Sequence, residues 1–389
     1  MKILFITNLY PPNAIGGYER LCHAVASALA PGNSVTVITS TYGKSVSIQD
    51  NQSVQQVLQL LIGKTIYEGF EGSDERRDLI NRSNAYFVGE VIGRVDPDVI
   101  YCWSLHGLNA SIFEPIVASN RPTVLMLTDN WFVPMWQHLS EATRRSERIG
   151  AIFGSRYMRQ YYLESGVRFR RDEVIHNGVL LSDASDAMFR DRRSLVADGE
   201  FRMLFAGRIV PVKGVHTAVE ALVQLVNSPS SDQLKYSLTL IGDQSDGEYL
   251  SGLKQMTQSG GCSEALHVID SVPPEKLFEV FQSYDCLVFP STYEPFALTL
   301  ILALDAGIPT IATAVGGNVE IISDEESGLL MPAEDVSCLT RQIERLSADP
   351  DLRCKLSRGG HKAASEFSFN RMIARTELAL ERFASYASN

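Results

Sequence analysis

One layout that occurs twice along the chain constrains the fold most strongly. Each copy has a short apolar strand, a turn that contains glycine, an amphipathic helix and a second strand. The two copies cover residues 3–39 and 202–241, with their helices near 18–30 and 215–226. Strands that alternate with helices of this length are typical of parallel sheets covered by helices on both faces. The sequence therefore predicts two α/β domains.

Further apolar segments extend both predicted sheets. Three follow in each half, at 99–102, 123–127 and 149–153 and at 266–269, 286–289 and 309–312. A length of 389 residues suits two domains of ordinary size. A polar, turn-rich segment at 177–200 predicts domains at 1–180 and 181–365. The tail, 366–389, is predicted to form a helix that packs back on the first domain, and the weakly periodic residues 43–82 are interpreted as an insertion without chemistry.

Charge and apolar content exclude several classes of protein. The net charge of −11 argues against a general nucleic-acid binder. The longest strongly apolar run, Leu298 to Leu304, is too short to cross a bilayer, and the apolar stretch after Met1 is too short for the core of a signal peptide. The six cysteines form no CxxC pair, which favours reduced core residues and a cytoplasmic location.

An arginine-rich stretch lies in the otherwise electroneutral first half. Residues 1–180 carry 17 basic and 17 acidic side chains, and eight of the arginines fall between residues 144 and 171. One interpretation is a solvated helix surface. The other is a patch that binds anionic lipid headgroups at the inner face of a membrane, or a phosphorylated acceptor. The sequence leaves both interpretations open.

Arg208 and Lys213 lie between a predicted strand and a predicted helix. An arginine offers a planar fork of donors to a phosphate, and a lysine offers a compact positive charge. The following helix would add free N–H groups and the positive end of its dipole. Charge-assisted hydrogen bonds contribute roughly 1.5–3 kcal/mol each and the dipole only about 0.3–1 kcal/mol, so the two cations dominate. The pattern predicts either a diphosphate site or two cations exposed in a surface loop.

Glu294 is the one charged residue directly ahead of the apolar run 298–304. Pro295 is favourable at the start of a helix, and burial of the apolar run would fix Glu294 in space. The carboxylate is predicted either to cap this helix or to accept hydrogen bonds from sugar hydroxyls. Gly16 and Gly17, at the start of the first helix, would either let the backbone approach a ligand or form a plain tight turn.

Seven stretches together resemble the family-four retaining glycosyltransferases of the GT-B fold, the glycosyl transferases group 1. These stretches are GGYER (16–20), PTVLMLTDNWF (122–132), VIHNGV (174–179), LFAGRIVPVKGVHTAVEAL (204–222), LTLIGD (238–243), YEPFALTLILALDAGIPTIATAVGGNVEII (293–322) and GLLMP (328–332). Their order and spacing span nearly the whole chain.

The resemblance implies two Rossmann-like doubly wound domains that face each other across a cleft. The N-terminal domain would bind the acceptor and the C-terminal domain a nucleotide-diphosphate sugar. A hexose-type sugar would pass, with retention at the anomeric carbon and without a metal ion or cofactor, to a saccharide, lipid-linked or small-molecule acceptor. This chemistry belongs to polysaccharide or glycoconjugate biosynthesis.

The resemblance also implies roles for individual residues. Arg208 and Lys213 would hold the donor diphosphate, the loop at Gly16 and Gly17 would close over it, and Glu294, the first Glu of the family's E-x7-E motif, would bind the donor sugar. The other residues implied in donor binding are Pro295, Phe296, Ala297, Leu298 and Asp305. Candidates for contacts with the acceptor or sugar are His106, Thr128 and Asp129.

Three positions depart from the family pattern. Leu302 stands where the second Glu of the motif usually binds the ribose, and Asp305 is the candidate replacement. Thr128 stands where a His is frequent, and Ala297 where a Gly is usual. These departures support a second hypothesis, a catalytically weak or inactive relative that binds a nucleotide or serves as a partner subunit.

Overall fold

The computed structural model describes residues 1–14, 16–46, 52–64, 68–182, 191–195, 199–228 and 234–385. The chain forms two compact units, one comprising Met1–His176 with Met372–Asn389 and the other Asn177–Arg371. Each unit holds one parallel sheet with helices on both faces, which confirms the predicted class of two Rossmann-like α/β domains. In the described ranges, every helix is too short or too polar to span a membrane.

The first unit is built on a seven-stranded sheet. Its strands are β1 (Lys2–Ile6), β2 (Ser34–Ser40), β3 (Ser53–Leu58), β4 (Val99–Cys102), β5 (Thr123–Leu127), β6 (Ile149–Phe153) and β7 (Asp172–Val174). Their order across the sheet is β3-β2-β1-β4-β5-β6-β7, all parallel. The order reverses between β1 and β4, and ligands of such sheets bind beyond the carboxyl ends of the strands at this switch point.

Within the described residues of this unit, seven α-helices cover the sheet. They are α1 (Gly17–Leu29), α2 (Asp74–Val95), α3 (Phe113–Ala118), α4 (Phe132–Gln137), α5 (Glu141–Arg144), α6 (Arg156–Glu164) and α14 (Phe369–Ser385), the last of which belongs to the first unit from Met372 onward. In α14, Arg375 donates to the Val174 carbonyl at 2.7 Å and Arg382 donates to both oxygens of Glu173 at 2.8 Å. The tail helix is therefore tied to edge strand β7.

The interpretation of residues 43–82 as an insertion is wrong over the described part of that segment. It supplies β3 and the start of α2, which begins with Ser73 accepting the Arg76 N–H. The helix escaped detection because Asn84 interrupts its buried apolar stripe. Asn84 accepts the Gln59 N–H and donates to the Gln59 carbonyl, both at 2.8 Å, which satisfies the buried amide.

The second unit is built on a six-stranded parallel sheet in the order β10-β9-β8-β11-β12-β13. The strands are β8 (Glu200–Ala206), β9 (Lys235–Ile241), β10 (Leu266–Ile269), β11 (Cys286–Phe289), β12 (Thr310–Thr313) and β13 (Leu329–Met331). The helices are α7 (Val215–Val226), α8 (Gly247–Ser259), α9 (Leu277–Gln282), α10 (Leu298–Asp305), α11 (Asn318–Ile321), α12 (Val336–Ala348) and α13 (Pro350–Ala364). The switch point of this sheet lies between β8 and β11.

A buried arginine that the sequence did not predict holds the ends of two helices. Arg192 is 3% exposed and donates to the carbonyls of Gly307, Tyr284, Phe281 and Ala306 and to the Gln282 side chain, at 2.7–3.5 Å. These acceptors lie at the C-terminal ends of α9 and α10, where a cation is favourable. Arg353 in turn donates to the Arg192 carbonyl at 2.8 Å. The segment 191–195 is thereby fixed to the second unit.

Candidate functional site

Two predicted site residues meet at the switch point of the second unit. Lys213 follows β8 and Glu294 follows β11, and Lys213 Nζ lies 2.6 Å from Glu294 Oε2. Only 17% of the lysine side chain and 8% of the glutamate side chain are exposed. Ser291 Oγ donates to the same Oε2 at 3.4 Å. The structure thus brings Lys213 and Glu294 together as a largely buried ion pair.

Glycines let the neighbouring loops approach this pair. Gly214 has a φ of +63°, and a Cβ at this position would lie 2.0 Å from the Pro290 carbonyl oxygen. Gly316 has a φ of +54°, and a Cβ there would lie 2.0 Å from the Glu294 carbonyl oxygen. A side chain at either position would displace the loop that carries Lys213 or Glu294.

Glu294 lies outside the helix that follows it. Helix α10 begins at Leu298, its N-cap Ala297 makes no side-chain cap, and Gly317 N–H holds the Glu294 carbonyl at 2.9 Å. The prediction that Pro295 starts this helix is wrong, and so is the capping role of Glu294, because this backbone bond keeps the segment in a loop. The N–H groups of Leu298 and Thr299 find no acceptor in the described part of the chain, so the first turn of α10 is open to a ligand.

In the first turn of α7, by contrast, two backbone N–H groups already donate hydrogen bonds within the protein. His216 N–H donates to the Tyr249 hydroxyl at 3.0 Å, and His216 Nδ1 lies 2.9 Å from the same oxygen. Thr217 N–H donates to the Gly214 carbonyl at 2.9 Å. The prediction that α7 offers free N–H groups is wrong for these two amides, because a tyrosine from α8 and the preceding turn satisfy them.

Three further residues singled out in the sequence lie in different environments. Arg208 shares the β8–α7 loop with Lys213, and its exposed side chain makes no ion pair or hydrogen bond with the residues that the structure describes. Asp305 lies at the far end of α10, about 10 Å from the first turn. It is buried there, and its Oδ2 accepts the Ser182 N–H at 2.8 Å. The structure does not bring Asp305 to the ion pair. Leu302 is half-buried and packs against the core of this unit.

A second group of polar residues lies in the first unit, beyond the carboxyl ends of β1, β4 and β5. Gly16 is the N-cap of α1, and its N–H donates to Glu19 Oε2 at 2.9 Å. The Tyr18 hydroxyl donates to the Met126 carbonyl of β5 at 2.7 Å. The predicted residues at this edge of the sheet are Gly16, Gly17, His106, Thr128 and Asp129.

Asp129 is the residue of this group whose carboxyl pKa is shifted. Its Oδ1 accepts the Trp131 N–H at 3.0 Å, and its carbonyl accepts the Tyr162 hydroxyl at 2.8 Å. Burial raises the pKa of the Asp129 carboxyl; the Trp131 hydrogen bond and nearby His106 lower this pKa in part, and Glu19 raises it again. A buried carboxyl group with a raised pKa is typical of binding and catalytic sites.

Several residues at these sites were not predicted from the sequence. Tyr18 and Glu19 lie within GGYER, and the spacing from Gly16 to Glu19 resembles a helix-capping pattern, so a signal was present. Tyr249 gave no such signal, since it lies 33 residues from the helix turn that it caps.

The unit that holds the ion pair matches a known family. The family model described as "Glycosyl transferases group 1" matches residues 188–363. Four of the seven sequence stretches that carry the resemblance lie within the matched residues, so the resemblance is confirmed for that part of the chain. Lys213 and Glu294 both lie inside the matched region.

Relatives and solved structures agree with this family. The D-inositol 3-phosphate glycosyltransferase of Acidothermus cellulolyticus is 29% identical over 208 residues, which are 52% of this chain and 46% of the relative. The chain thus spans about half the length of the D-inositol 3-phosphate glycosyltransferases that it matches.

Two crystal structures share the fold. A glycosyltransferase of Rickettsia africae has a TM-score of 0.77 at 17% identity, covering 98% of each chain. Anabaena HepE in complex with UDP and glucose has a TM-score of 0.71 at 20% identity, covering 98% of this chain and 100% of HepE. These likenesses confirm the GT-B fold class predicted for the group 1 domain and its partner unit.

Proposed function

We propose that the protein is a retaining glycosyltransferase that needs no metal ion. It moves a hexose-type sugar from a nucleotide-diphosphate sugar to a saccharide, lipid-linked or small-molecule acceptor, in polysaccharide or glycoconjugate biosynthesis. The single observation that carries the proposal is the Lys213–Glu294 ion pair at the switch point of a glycosyl transferases group 1 domain. The complex of HepE with UDP and glucose supports a nucleotide-sugar donor for this chain.

The ion pair suits a ligand that joins a phosphate to a sugar. An ammonium group has three N–H donors, and Glu294 uses one, which leaves two for phosphate oxygens. Glu294 Oε2 is engaged by Lys213 and Ser291, and its Oε1 makes no hydrogen bond with the described residues, so Oε1 is available to a sugar hydroxyl. Exposed Arg208 would bind the outer phosphate oxygens, and the open first turn of α10 would add backbone donors from Leu298.

In the proposed reaction, the bond between the anomeric carbon and the diphosphate oxygen breaks, and the electron pair leaves with the diphosphate. A bond forms between the acceptor oxygen and the anomeric carbon on the same face, and the acceptor proton passes to the departing phosphate oxygen. The contribution of Arg208 and Lys213 is to offset negative charge that grows on the diphosphate as the bond breaks. Glu294 holds the sugar in position for attack.

The polar group of the first unit is proposed to bind the acceptor. Asp129, held through Trp131 and Tyr162, would accept a hydrogen bond from an acceptor hydroxyl, and His106 and Thr128 would contact the same acceptor. The proposal places acceptor recognition and donor recognition in separate units of the chain.

A screen of nucleotide-sugars tests the proposal. Thermal shift and donor hydrolysis are measured for UDP-, GDP-, ADP- and dTDP-hexoses with the wild-type chain and with Arg208→Ala and Lys213→Ala. We expect one donor to stabilise the wild type, and each variant to bind its nucleoside diphosphate about 10- to 150-fold more weakly. Binding without turnover by any acceptor would favour the inactive relative suggested by Leu302, and no binding of any nucleotide would refute the proposal.

Attachment to an anionic membrane surface from the cytoplasm is also proposed, for the arginine-rich stretch. Ion pairs with acidic neighbours engage several arginines of this stretch, including Arg145 with Glu141, Arg159 with Asp172 and Arg170 with Glu147. We therefore expect weak binding that salt abolishes. Equal cosedimentation with phosphatidylcholine and phosphatidylglycerol vesicles would leave the solvated helix surface as the correct interpretation.

A further inference from the structure

A short apolar segment lies next to the polar group of the first unit. Leu60, Leu61 and Ile62 follow β3, and the Leu61 N–H donates to the Gly107 carbonyl at 2.6 Å. Gly107 has a φ of +77°, and a Cβ there would lie 3.1 Å from Ile62 and 3.5 Å from Leu60. Gly107 directly follows His106. The apolar segment 60–62 therefore packs against the turn that carries a candidate acceptor residue.

The segment and helix α1 lie toward opposite faces of the sheet. Gln59, next to the segment, is bonded to Asn84 of α2, and α2 packs on the face formed by Leu4 and Ile6. Tyr18 of α1 contacts Trp103 on the other face, with ring centroids 5.2 Å apart. The β1–β4 switch point thus has the N-terminus of α1 on one side and segment 60–62 on the other.

Segment 60–62 and nearby Tyr42 expose apolar surface next to the polar groups of this unit. All three side chains of segment 60–62 are half-buried, but only Leu60 packs against the main core cluster of the unit. Tyr42, which follows β2 at the same edge of the sheet, is 36% exposed. The adjoining Thr41 N–H donates to the Leu58 carbonyl at 2.8 Å, which places Tyr42 near the end of β3. A free sugar bound at Asp129 would leave Leu61 and Ile62 partly in water.

We propose that the acceptor is an amphiphile, with a hydroxylated head bound at Asp129 and His106 and an apolar substituent packed on Leu61 and Ile62. This inference rests on the proposed function and narrows its acceptor class. The occupant follows from continuity: the Leu61–Gly107 hydrogen bond joins the apolar segment to the polar turn, so one molecule that reaches both must carry both chemistries. Burial of the apolar substituent is favourable in proportion to its area.

Alkyl glycosides of increasing chain length test the inference. Methyl, butyl, hexyl and octyl β-glucosides and β-galactosides are titrated into the full-length protein below their micellar concentrations. We expect the affinity to rise by about two- to fourfold for each methylene until the alkyl chain covers Leu61 and Ile62. Equal affinities of the methyl and octyl compounds would overturn the inference.

Matched variants locate the effect. In Leu61→Ser combined with Ile62→Ser, the dependence on chain length should disappear. The control Leu79→Ser removes a leucine that is 62% exposed on α2, outside the segment, and should keep the dependence. Loss of the dependence in the control as well would show nonspecific adsorption and overturn the inference. A wild-type dimer in sedimentation velocity that the double variant abolishes would assign the segment to a second copy, and would also overturn it.

Failure of this inference is distinguishable from failure of the proposed function. Nucleoside diphosphate binding is measured for the same variants and reports on Lys213 and Arg208, which lie in the second unit. Wild-type nucleotide binding without any chain-length dependence would reject the amphiphilic acceptor alone. Absence of nucleotide binding in the wild type would reject the glycosyltransferase proposal.

Discussion

Replacing Glu294 with glutamine should strengthen the binding of a free nucleoside diphosphate. Glu294 neutralises Lys213 across 2.6 Å, and both side chains are largely buried. A phosphate that shares the lysine ammonium would lie about 4–5 Å from the Glu294 carboxylate and be repelled by it. Glutamine has nearly the same shape and removes the charge. The sign of this effect is opposite to the loss expected when a binding residue is removed.

The magnitude follows from the geometry. Two like charges about 4–5 Å apart at an effective dielectric constant of about 20 repel each other by about 3–4 kcal/mol. Screening by nearby solvent and rearrangement of Lys213 reduce this repulsion to about 1 kcal/mol, or roughly a fivefold gain in affinity. In the Lys213→Met background the gain from Glu294→Gln should be larger, because the carboxylate there has lost its neutralising partner.

The assay is isothermal titration of the full-length chain with the nucleoside diphosphate selected by thermal shift, and with the matching nucleotide-sugar. In Glu294→Gln the nucleotide should bind about three- to tenfold more tightly, while the added affinity of the nucleotide-sugar over the nucleotide should fall. Lys213→Met should weaken both ligands. Glu264→Gln, an exposed glutamate before β10, removes the same charge elsewhere in the unit and should change neither ligand.

One outcome would refute this reasoning. If Glu294→Gln weakened the nucleoside diphosphate as much as Lys213→Met does, the glutamate would serve to position the lysine. A direct contact between Glu294 and the donor sugar would then have no support from binding. The same conclusion would follow if Glu294→Gln left unchanged the difference in affinity between the nucleotide-sugar and the free nucleotide.

Three further predictions concern stability and loop geometry. Burial raises the pKa of Asp129 above its ordinary value of 3.8, so the ionised carboxylate lowers the stability of the folded protein at neutral pH. Asp129→Asn should therefore raise Tm at pH 7. This gain should vanish as the pH falls toward 3.8, where the unfolded chain also becomes protonated. Arg192→Met should destabilise the protein by about 3–5 kcal/mol in urea unfolding, whereas exposed Arg193→Met should cost at most about 0.5 kcal/mol. Gly214→Ala should abolish nucleotide binding in titration, while Gly247→Ala, where a Cβ has open space, should preserve it.

Hydrophobic periodicity was enough to predict most strands of both sheets and the helices near 18–30, near 215–226 and in the tail. The helix predicted near 215–226 is α7, Val215–Val226, and the strand predicted at 286–289 is β11, Cys286–Phe289. The same signal failed at α2, where a buried asparagine stands in the apolar stripe. Asn84 is tolerated there because the backbone of Gln59 satisfies its amide, a contact across 25 residues that no local pattern encodes.

The site was predictable in residue type but only partly in its contacts. A lysine after one strand and a glutamate after another place both side chains at the same edge of a parallel sheet if those strands are neighbours. The sequence could not show that the two side chains pair, since 81 residues separate Lys213 from Glu294. It also misplaced the start of α10, because the Gly317–Glu294 backbone bond depends on a loop that follows the next strand.

The ion pair suggests that Arg208, Lys213 and Glu294 have different roles in donor binding. Lys213 and Glu294 together carry no net charge, so the positive potential that attracts a diphosphate to this loop comes mainly from exposed Arg208. The pair then distinguishes a sugar-bearing diphosphate from a bare one, because only the former can engage both members. Arg208→Ala should accordingly lower the affinities for the nucleoside diphosphate and for the nucleotide-sugar by the same factor. The ratio of the two affinities should therefore stay unchanged. A selective loss of the nucleotide-sugar in Arg208→Ala would show instead that the arginine contacts the sugar and that the ion pair alone does not set donor preference.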